Sequence, residues 1–342
     1  MEGLSIPGKR SDRVVLEANK AYWDHRRLPR LQRIIFDNTL SQKEAVELIK
    51  TGEGRVDVVT GLSPLETLRV AESPFAKVVK TRGSLTTVVG QFNRRKAGSP
   101  WHDIRLRQAV NVAINREDLL RYATKGNGQI IPALVPVQAF GYDPTLAPYP
   151  FAPDQARQWL RDAGYPQGLA LTLIAPEELE VQATVVSKML EHGGFRVDLQ
   201  LLDPVTYNRQ TRLSDLEQPA EQQAWDIALL SHEDILNFPP FELYGPLALG
   251  GTLDWGIQPP DLRQLREDVL RTVDREHQRG VIHQMERFTA AQAYFLFLYN
   301  PIPLYAVNKA VEFVPYVSTL LNLDATAVTE QHWSVRQTAK KE

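Results

Sequence analysis

An apolar strand pattern over Thr86 to Phe92 runs directly into Asn93. After a short loop through Pro100-Trp101 the chain reads Asp103-Ile104-Arg105-Leu106-Arg107-Gln108-Ala109-Val110-Asn111-Val112-Ala113-Ile114-Asn115-Arg116-Glu117. Leu106, Ala109, Val110 and Ala113 recur at helical spacing, so one face of this segment is apolar and packs inward. Asp103 is placed to cap that helix at its start. Asn115 stops it and caps a second helix, with Asp118 at the third helical position. By itself the pattern specifies a buried helix, a tight corner and a second helix.

The flanks extend this into alternating strands and helices. Arg13 to Glu17, Leu31 to Phe36, Ala76 to Lys80 and Thr86 to Phe92 read as strands. Ser41-Gln-Lys-Glu44 and Ser63-Pro-Leu-Glu66 read as capping boxes, the second with proline at the first helical position. Residues 126–153 lack periodicity but are apolar enough to wrap a lobe as an ordered loop. Leu169 to Ile174, then a helix over Glu178 to His192 with Val181, Val185 and Met189 inward, then the alternating Phe195, Val197, Leu199 and Leu201 form a βαβ unit. That unit predicts a mainly parallel sheet. Beyond the short strand Ile227 to Leu230, residues 231–260 read as a loop and Pro260 to Val273 and Arg275 to Ala290 as helices. Tyr294 to Tyr299 and Leu304 to Val307 are strands, and the tail from Thr329 reads as polar and frayed.

With 342 residues, the chain is long enough for two lobes with real cores. A net charge of −2 implies neither nucleic acid nor an anionic membrane as partner. The absence of cysteine excludes disulfides, thiolate metal sites and cysteine nucleophiles. No stretch approaches the roughly 20 apolar residues of a membrane-spanning helix, and the first ten residues lack the apolar core of a signal peptide.

Catalytic patterns are equally missing. His277 and His283 fall on different helix faces, so the zinc helix pattern is absent, and His283 with Glu286 reads as an exposed polar pair. There is no nucleophile elbow, phosphate loop or dinucleotide fingerprint. Arg94-Arg95-Lys96 reads as a solvated basic loop. The stretch Ser231-His232-Glu233-Asp234-Ile235-Leu236-Asn237 follows a strand end, where ligands of open α/β sheets bind. Gln91 and Asn93 end a strand expected to cross from one lobe to the other, where polar groups can meet a ligand backbone. Trp255 is a loop aromatic of the kind that lines apolar subsites. For Asp234 the alternative is a turn residue, and for Gln91, Asn93 and Trp255 it is packing.

The string from Phe92-Asn93 to Asn115-Arg116-Glu117-Asp118-Leu119 resembles the hallmark segment of the family 5 extracytoplasmic solute-binding proteins. These are the peptide- and nickel-binding receptors of ABC importers. The likeness continues in order through Val14-Val-Leu-Glu-Ala-Asn-Lys-Ala-Tyr-Trp23, Gly52 to Gly61, Gly141-Tyr-Asp-Pro144, Ala163-Gly-Tyr-Pro166, Trp225-Asp-Ile-Ala228 and Pro303-Leu-Tyr305. The resemblance implies an α/β fold of the type II periplasmic-binding-protein architecture: two hinged lobes with mixed or mainly parallel sheets, the N-terminal part of the first lobe missing. Residues 1–88 and 302–342 would be the remnant of the first lobe and 89–301 the second.

In function, the resemblance implies the solute-binding component of an ABC importer, which captures a peptide or other small polar solute between its lobes and delivers it to a permease. No enzyme activity, cofactor or metal is implied. The partners would be the small-molecule or peptide ligand and the membrane permease, with no nucleic acid. The chain would be a monomer when complete, at the periplasmic or extracellular face of the membrane. In peptide-binding members a loop aspartate pairs with the ligand ammonium. Asp234 matches it with one residue deleted, and His232 stands at the family's tryptophan. The ligand-binding candidates are therefore Gln91, Asn93, His232, Asp234, Asn237 and Trp255. A solute-sensing module of a regulator, a truncated non-transporting receptor fragment and a hydrolase are the competing readings.

Overall fold

A computed structural model describes residues 11–233, 241–256, 259–318, 320–321 and 323–338. The chain divides into two compact units, residues 1–82 with 303–342, and residues 83–302, so it passes between them twice.

The first unit begins with β1 (Arg13–Glu17) and β2 (Arg33–Asp37), an antiparallel pair with Val15 opposite Ile35. Next, α1 (Gln42–Thr51) opens on the predicted capping box: the Ser41 side chain accepts the Glu44 N–H, and the Glu44 carboxylate accepts the Ser41 N–H at 2.9 Å. After β3 (Val58–Val59) the second predicted box does not form. Ser63 Oγ takes the Leu65 N–H, two residues on, so 63–66 closes as a separate turn and α2 (Thr67–Ala71) starts later without a side-chain cap. The edge strand β4 (Ala76–Lys80) completes this run of elements. Val46, Ile49, Val59, Leu62, Val70 and Ala76 pack into one small core with Leu304 and Ala306.

The second unit is built on β5 (Thr86–Phe92), every residue of which is buried. The chain changes unit at Arg82–Gly83, ahead of this strand, so β5 lies wholly inside the second unit. There follow α3 (Ile104–Val112), capped by Asp103, and α4 (Arg116–Ala123), capped by Asn115 as its spacing predicts. Then come β6 (Gly128–Ile130), α5 (Pro153–Asp162), β7 (Ala170–Pro176), α6 (Glu180–His192), β8 (Arg196–Leu202) and α7 (Pro204–Thr211). The unit closes with β9 (Ile227–Glu233), α8 (Phe241–Ala248), α9 (Pro260–Arg271), α10 (Arg275–Ala291) and β10 (Phe295–Pro301). The presence of α8 corrects the reading of 231–260 as loop; Tyr244 and Leu247 are buried on it.

One six-stranded sheet, in the order β6-β10-β5-β9-β7-β8, runs through the unit. Its pairings are antiparallel from β6 to β9 and parallel from β9 through β7 to β8, so the sheet is mixed. The expected parallel geometry holds for the βαβ unit and β9, while β5 runs antiparallel to both of its neighbours, β9 and β10. Side chains alternate between the two faces of the sheet. Leu171, Leu173, Ala175, Ile227 and Leu229 face the layer of α3 to α6, while Ile174 and Ala228 face Tyr207, Trp225 and Trp255. Val185 and Met189 pack half-buried against the core as expected, but α6 buries Ala183, Val186 and Leu190 more deeply and leaves Val181 41% exposed. The helix ends in a close approach: a Cβ on Gly193 would sit 2.6 Å from that of Ala113.

Back in the first unit, β11 (Leu304–Asn308) lies between β3 and β4, and β12 (Val311–Glu312) pairs with β13 (Ala327–Val328). The tail is not frayed up to α11 (Trp333–Thr338). His332 is buried with its Nε2 3.0 Å from Asp57 Oδ1, and the Trp333 indole donates to the same oxygen at 3.3 Å. Those partners are distant in sequence, which local polarity does not register.

Candidate functional site

β6 has only three residues, so it leaves part of β10 without a neighbour strand. Side chains of the hallmark segment fill that gap. Asn111 donates to the Phe295 carbonyl at 2.9 Å and accepts the Phe297 N–H at 3.2 Å, and Arg116 Nε donates to the Phe297 carbonyl at 2.8 Å. Arg116 also reaches the Asn111 carbonyl and side chain, each at 3.0 Å. Arg107 sits at the C-terminal end of α10, donating to the carbonyls of Gln292 at 2.8 Å and Ala293 at 3.1 Å, and to that of Trp101 at 2.6 Å. A cation there meets the negative end of the helix dipole. Burial lowers the pKa of each guanidinium to about 10, which leaves both charged at neutral pH. The segment therefore braces the sheet, a role its surface-like Arg spacing conceals.

The sheet separates the predicted ligand residues. Gln91 and Asn93 lie at the end of β5 that faces the start of β9: Gln91 is opposite Ala228 and Phe92 opposite Ile227. Gln91 Nε2 donates to the Leu247 carbonyl at 3.1 Å. Asn93 Nδ2 donates to the Trp225 carbonyl at 3.1 Å, and its Oδ1 accepts the Arg95 and Lys96 N–H groups, ending the strand in an Asx turn. Trp255 is 0% exposed; its indole donates to the Thr211 carbonyl at 2.6 Å, and it meets Trp225 edge-on at 4.6 Å. All three are engaged in packing at this end. His232, half-buried near the far end of β9 and opposite Thr87, is about 16 Å away along the strand. Asp234 and Asn237 lie outside the described residues.

The basic run is not solvated. Arg94 stacks over the Tyr294 ring at 5.5 Å, Arg95 donates to the Asp254 carbonyl at 2.9 Å, and Lys96 pairs with Asp226 at 3.0 Å. Asp226 also accepts the Thr172 N–H at 2.9 Å and the Trp101 indole N–H at 3.4 Å, tying loop to sheet. Nor is His283 with Glu286 an exposed pair. Glu286 is 1% exposed under α8 and the 126–153 loop, and His283 contacts the Tyr142 carbonyl at 3.1 Å.

A polar cluster does assemble where β9 ends, around Thr87, His232 and Asn300, with Thr86 next to it in β5 but on the opposite face of the sheet. Asn300 Nδ2 donates to the Thr86 carbonyl at 2.9 Å and to Thr87 Oγ1 at 3.0 Å, and its Oδ1 accepts the Val137 N–H at 3.3 Å. Thr87 Oγ1 donates to the Leu134 carbonyl at 3.0 Å. Thr86 Oγ1 is buried without a hydrogen-bond partner among the described residues. It lies at the start of β5, level with the end of β9. Thr87 and Asn300 carry no separate signal in the sequence; only the register of three strands brings them beside His232. Among the described residues no group of three or more His, Cys, Asp or Glu side chains could hold a metal ion, and no helix is long and apolar enough to cross a membrane.

Comparison with solved structures gives the same fold over most of the chain. The periplasmic binding protein DppA of Helicobacter pylori, solved with the peptide STSA, superposes with a TM-score of 0.76 at 16% identity, covering 94% of this chain and 61% of that one. The ABC transporter substrate-binding protein CtaP of Listeria monocytogenes superposes at 0.80 with 17% identity, covering 94% and 65%. The fold is therefore that of the type II periplasmic-binding proteins. In sequence, the glutathione-binding protein GsiB of Pectobacterium atrosepticum is 26% identical over 202 residues, 58% of this chain and 38% of its own length. The dipeptide-binding protein of Escherichia coli K12 is 22% identical over 167 residues, 49% and 30%. The chain thus spans well under two thirds of the length of these curated relatives. The model of the bacterial extracellular solute-binding proteins, family 5 (middle), matches residues 8–249, so the chain belongs to this family of binding proteins.

Proposed function

We propose that the chain is the solute-binding component of an ABC importer, taking up a peptide or other small polar solute and delivering it to a membrane permease. Membership of family 5 carries this reading. The protein binds and releases its solute without covalent chemistry and works at the periplasmic or extracellular face of the membrane. On the second unit, the polar cluster of Thr87, His232 and Asn300 at the end of β9 supplies ligand contacts. Gln91, Asn93 and Trp255 act one step back, holding the strands that carry the cluster.

Calorimetric titration with di- to tetrapeptides and with free amino acids tests the proposal. Dissociation constants in the micromolar range or tighter, about −8 kcal/mol or better, are expected for one class. His232→Ala should weaken that binding by about 1–2 kcal/mol with unchanged thermal unfolding. Absence of heat or thermal stabilisation with every peptide and small polar solute tried would sink the reading.

A further inference from the structure

β1 and β2 form a sheet of their own, so each strand has one long edge without a neighbour strand. The Ala18 N–H donates to the Gln32 carbonyl at 3.0 Å, and the Asn38 N–H to the Asp12 carbonyl at 2.8 Å. In the register that sets Val15 opposite Ile35, those bonds place the even-numbered residues of both strands in the hydrogen-bonded pairs. The N–H and C=O groups of Arg33, Ile35 and Asp37 therefore point away from β1, and none of them has a hydrogen-bond partner among the described residues. All three residues are exposed, Ile35 by 44%. The edge of β1 is less open, because Ser11 Oγ donates to the Arg13 carbonyl at 2.9 Å. An exposed row of unpaired backbone groups is a template for another strand.

The side chains of β2, Arg33-Ile-Ile-Phe-Asp37, select which strand fits. Paired antiparallel with a copy of itself about Ile35, the strand sets Arg33 opposite the partner's Asp37 and Asp37 opposite the partner's Arg33. On the same face Ile35 meets the partner's Ile35. On the other face Phe36 meets the partner's Ile34, an aromatic and β-branched pair of the kind that stabilises sheets. β1 extends the pattern, since Arg33 Nη2 donates to Glu17 at 2.7 Å and Arg13 stands opposite Asp37. A row across four strands then reads Glu17, Arg33, the partner's Asp37, the partner's Arg13, alternating in sign. Asp37 uses only Oδ1 in its turn to Thr39, so Oδ2 is available, and the Arg33 guanidinium has donors beyond the one given to Glu17. Parallel pairing would set Arg33 against the partner's Arg33, and a slip of two residues would set Ile35 against a charge. Charge and register thus agree on one arrangement.

We infer that the outer edge of β2 is a pairing surface for a second copy of this chain, joined antiparallel about Ile35 on a two-fold axis. Arg33, Ile35 and Asp37 each exchange N–H and C=O bonds with the residue opposite. Two marginal two-stranded sheets become one sheet of four strands. An edge of five residues makes a contact far smaller than a stable interface, so the association is weak and set by concentration. In dilute solution the chain stays a monomer. The pairing is independent of which solute the protein binds.

Sedimentation velocity of the whole chain over about 5 to 500 µM tests the contact, and the boundary should move from monomer to dimer across that range. Ile35→Pro removes the N–H at the centre of the edge, which bonds nothing in the single chain, and should abolish the dimer. Val15→Pro makes the same change on the edge of β1 and should leave the dimer in place. Arg33→Glu and Asp37→Arg each set like charges opposite one another, so each variant alone should stay monomeric. Mixed in equal amounts the two are complementary, and the dimer should return. A misfolded hairpin cannot produce that return, and the two proline variants serve if a charge variant does not fold. A wild-type chain that is monomeric throughout, a dimer that survives Ile35→Pro or is lost in Val15→Pro, or a mixture of folded charge variants that stays monomeric would each overturn the proposal.

Discussion

Arg116 shows how a residue that looks like surface charge becomes structural. Arg116 is 3% exposed, and its guanidinium donates to the carbonyls of Phe297, Asn111 and Tyr149. Arg116→Met removes every one of those donors while keeping much of the volume. We expect a loss of about 2–4 kcal/mol in urea unfolding, because buried carbonyls left unpaired cost more than the bonds themselves contribute. Arg116→Lys should recover only part of it, since an ammonium offers three donors from one point where the guanidinium spreads five over a fork. A Met variant within about 0.5 kcal/mol of wild type would refute the bracing role. Sequence reasoning identified the residues around it correctly, Asp103 and Asn115 as caps, because caps act within three residues. It missed Arg107, Arg116 and Glu286, because their partners are nearly two hundred residues away or on the other side of a loop.

Elements differ in how far local pattern decides them. The βαβ unit of β7, α6 and β8 was legible from alternation and glycine stops, yet its closeness rests on Gly168. That residue has a φ of +84°, and a Cβ there would lie 2.3 Å from the Gly194 carbonyl oxygen. Gly168→Ala should cost about 2–3 kcal/mol in thermal or urea unfolding through strain and clash together; an unchanged transition would show that the loop yields freely. The pair β1 and β2 stands at the other extreme. None of its ten residues is fully buried, although Val14, Val15, Leu16, Ile34, Ile35 and Phe36 are apolar. A two-stranded sheet without a covered face is marginal, so its amides should exchange much faster than those of β5. Protection equal to that of β5 would contradict this.

At the scale of the molecule, the second unit draws its sheet and the cores on either side of β7 and β9 from residues 83–302 alone. The strands nearest its two ends, β5 and β10, are hydrogen-bonded neighbours, with Val88 opposite Tyr299. A fragment of residues 83–302 should therefore fold by itself and unfold in one cooperative transition by circular dichroism. A fragment without such a transition would show that the first unit is needed to complete it. By itself the sequence determined the α/β class, the family, the caps of α1, α3 and α4, and the strands with strict alternation. Those depend on contacts within a turn or on periods of two and 3.6 residues. Only the tertiary structure decided that the sheet is mixed, that α6 turns its Ala183–Val186–Leu190 face inward, and that Gln91 and Asn93 lie at the opposite end of β9 from His232. Strand order and register are set by packing between distant segments, and a linear pattern carries the faces of an element but not its neighbours.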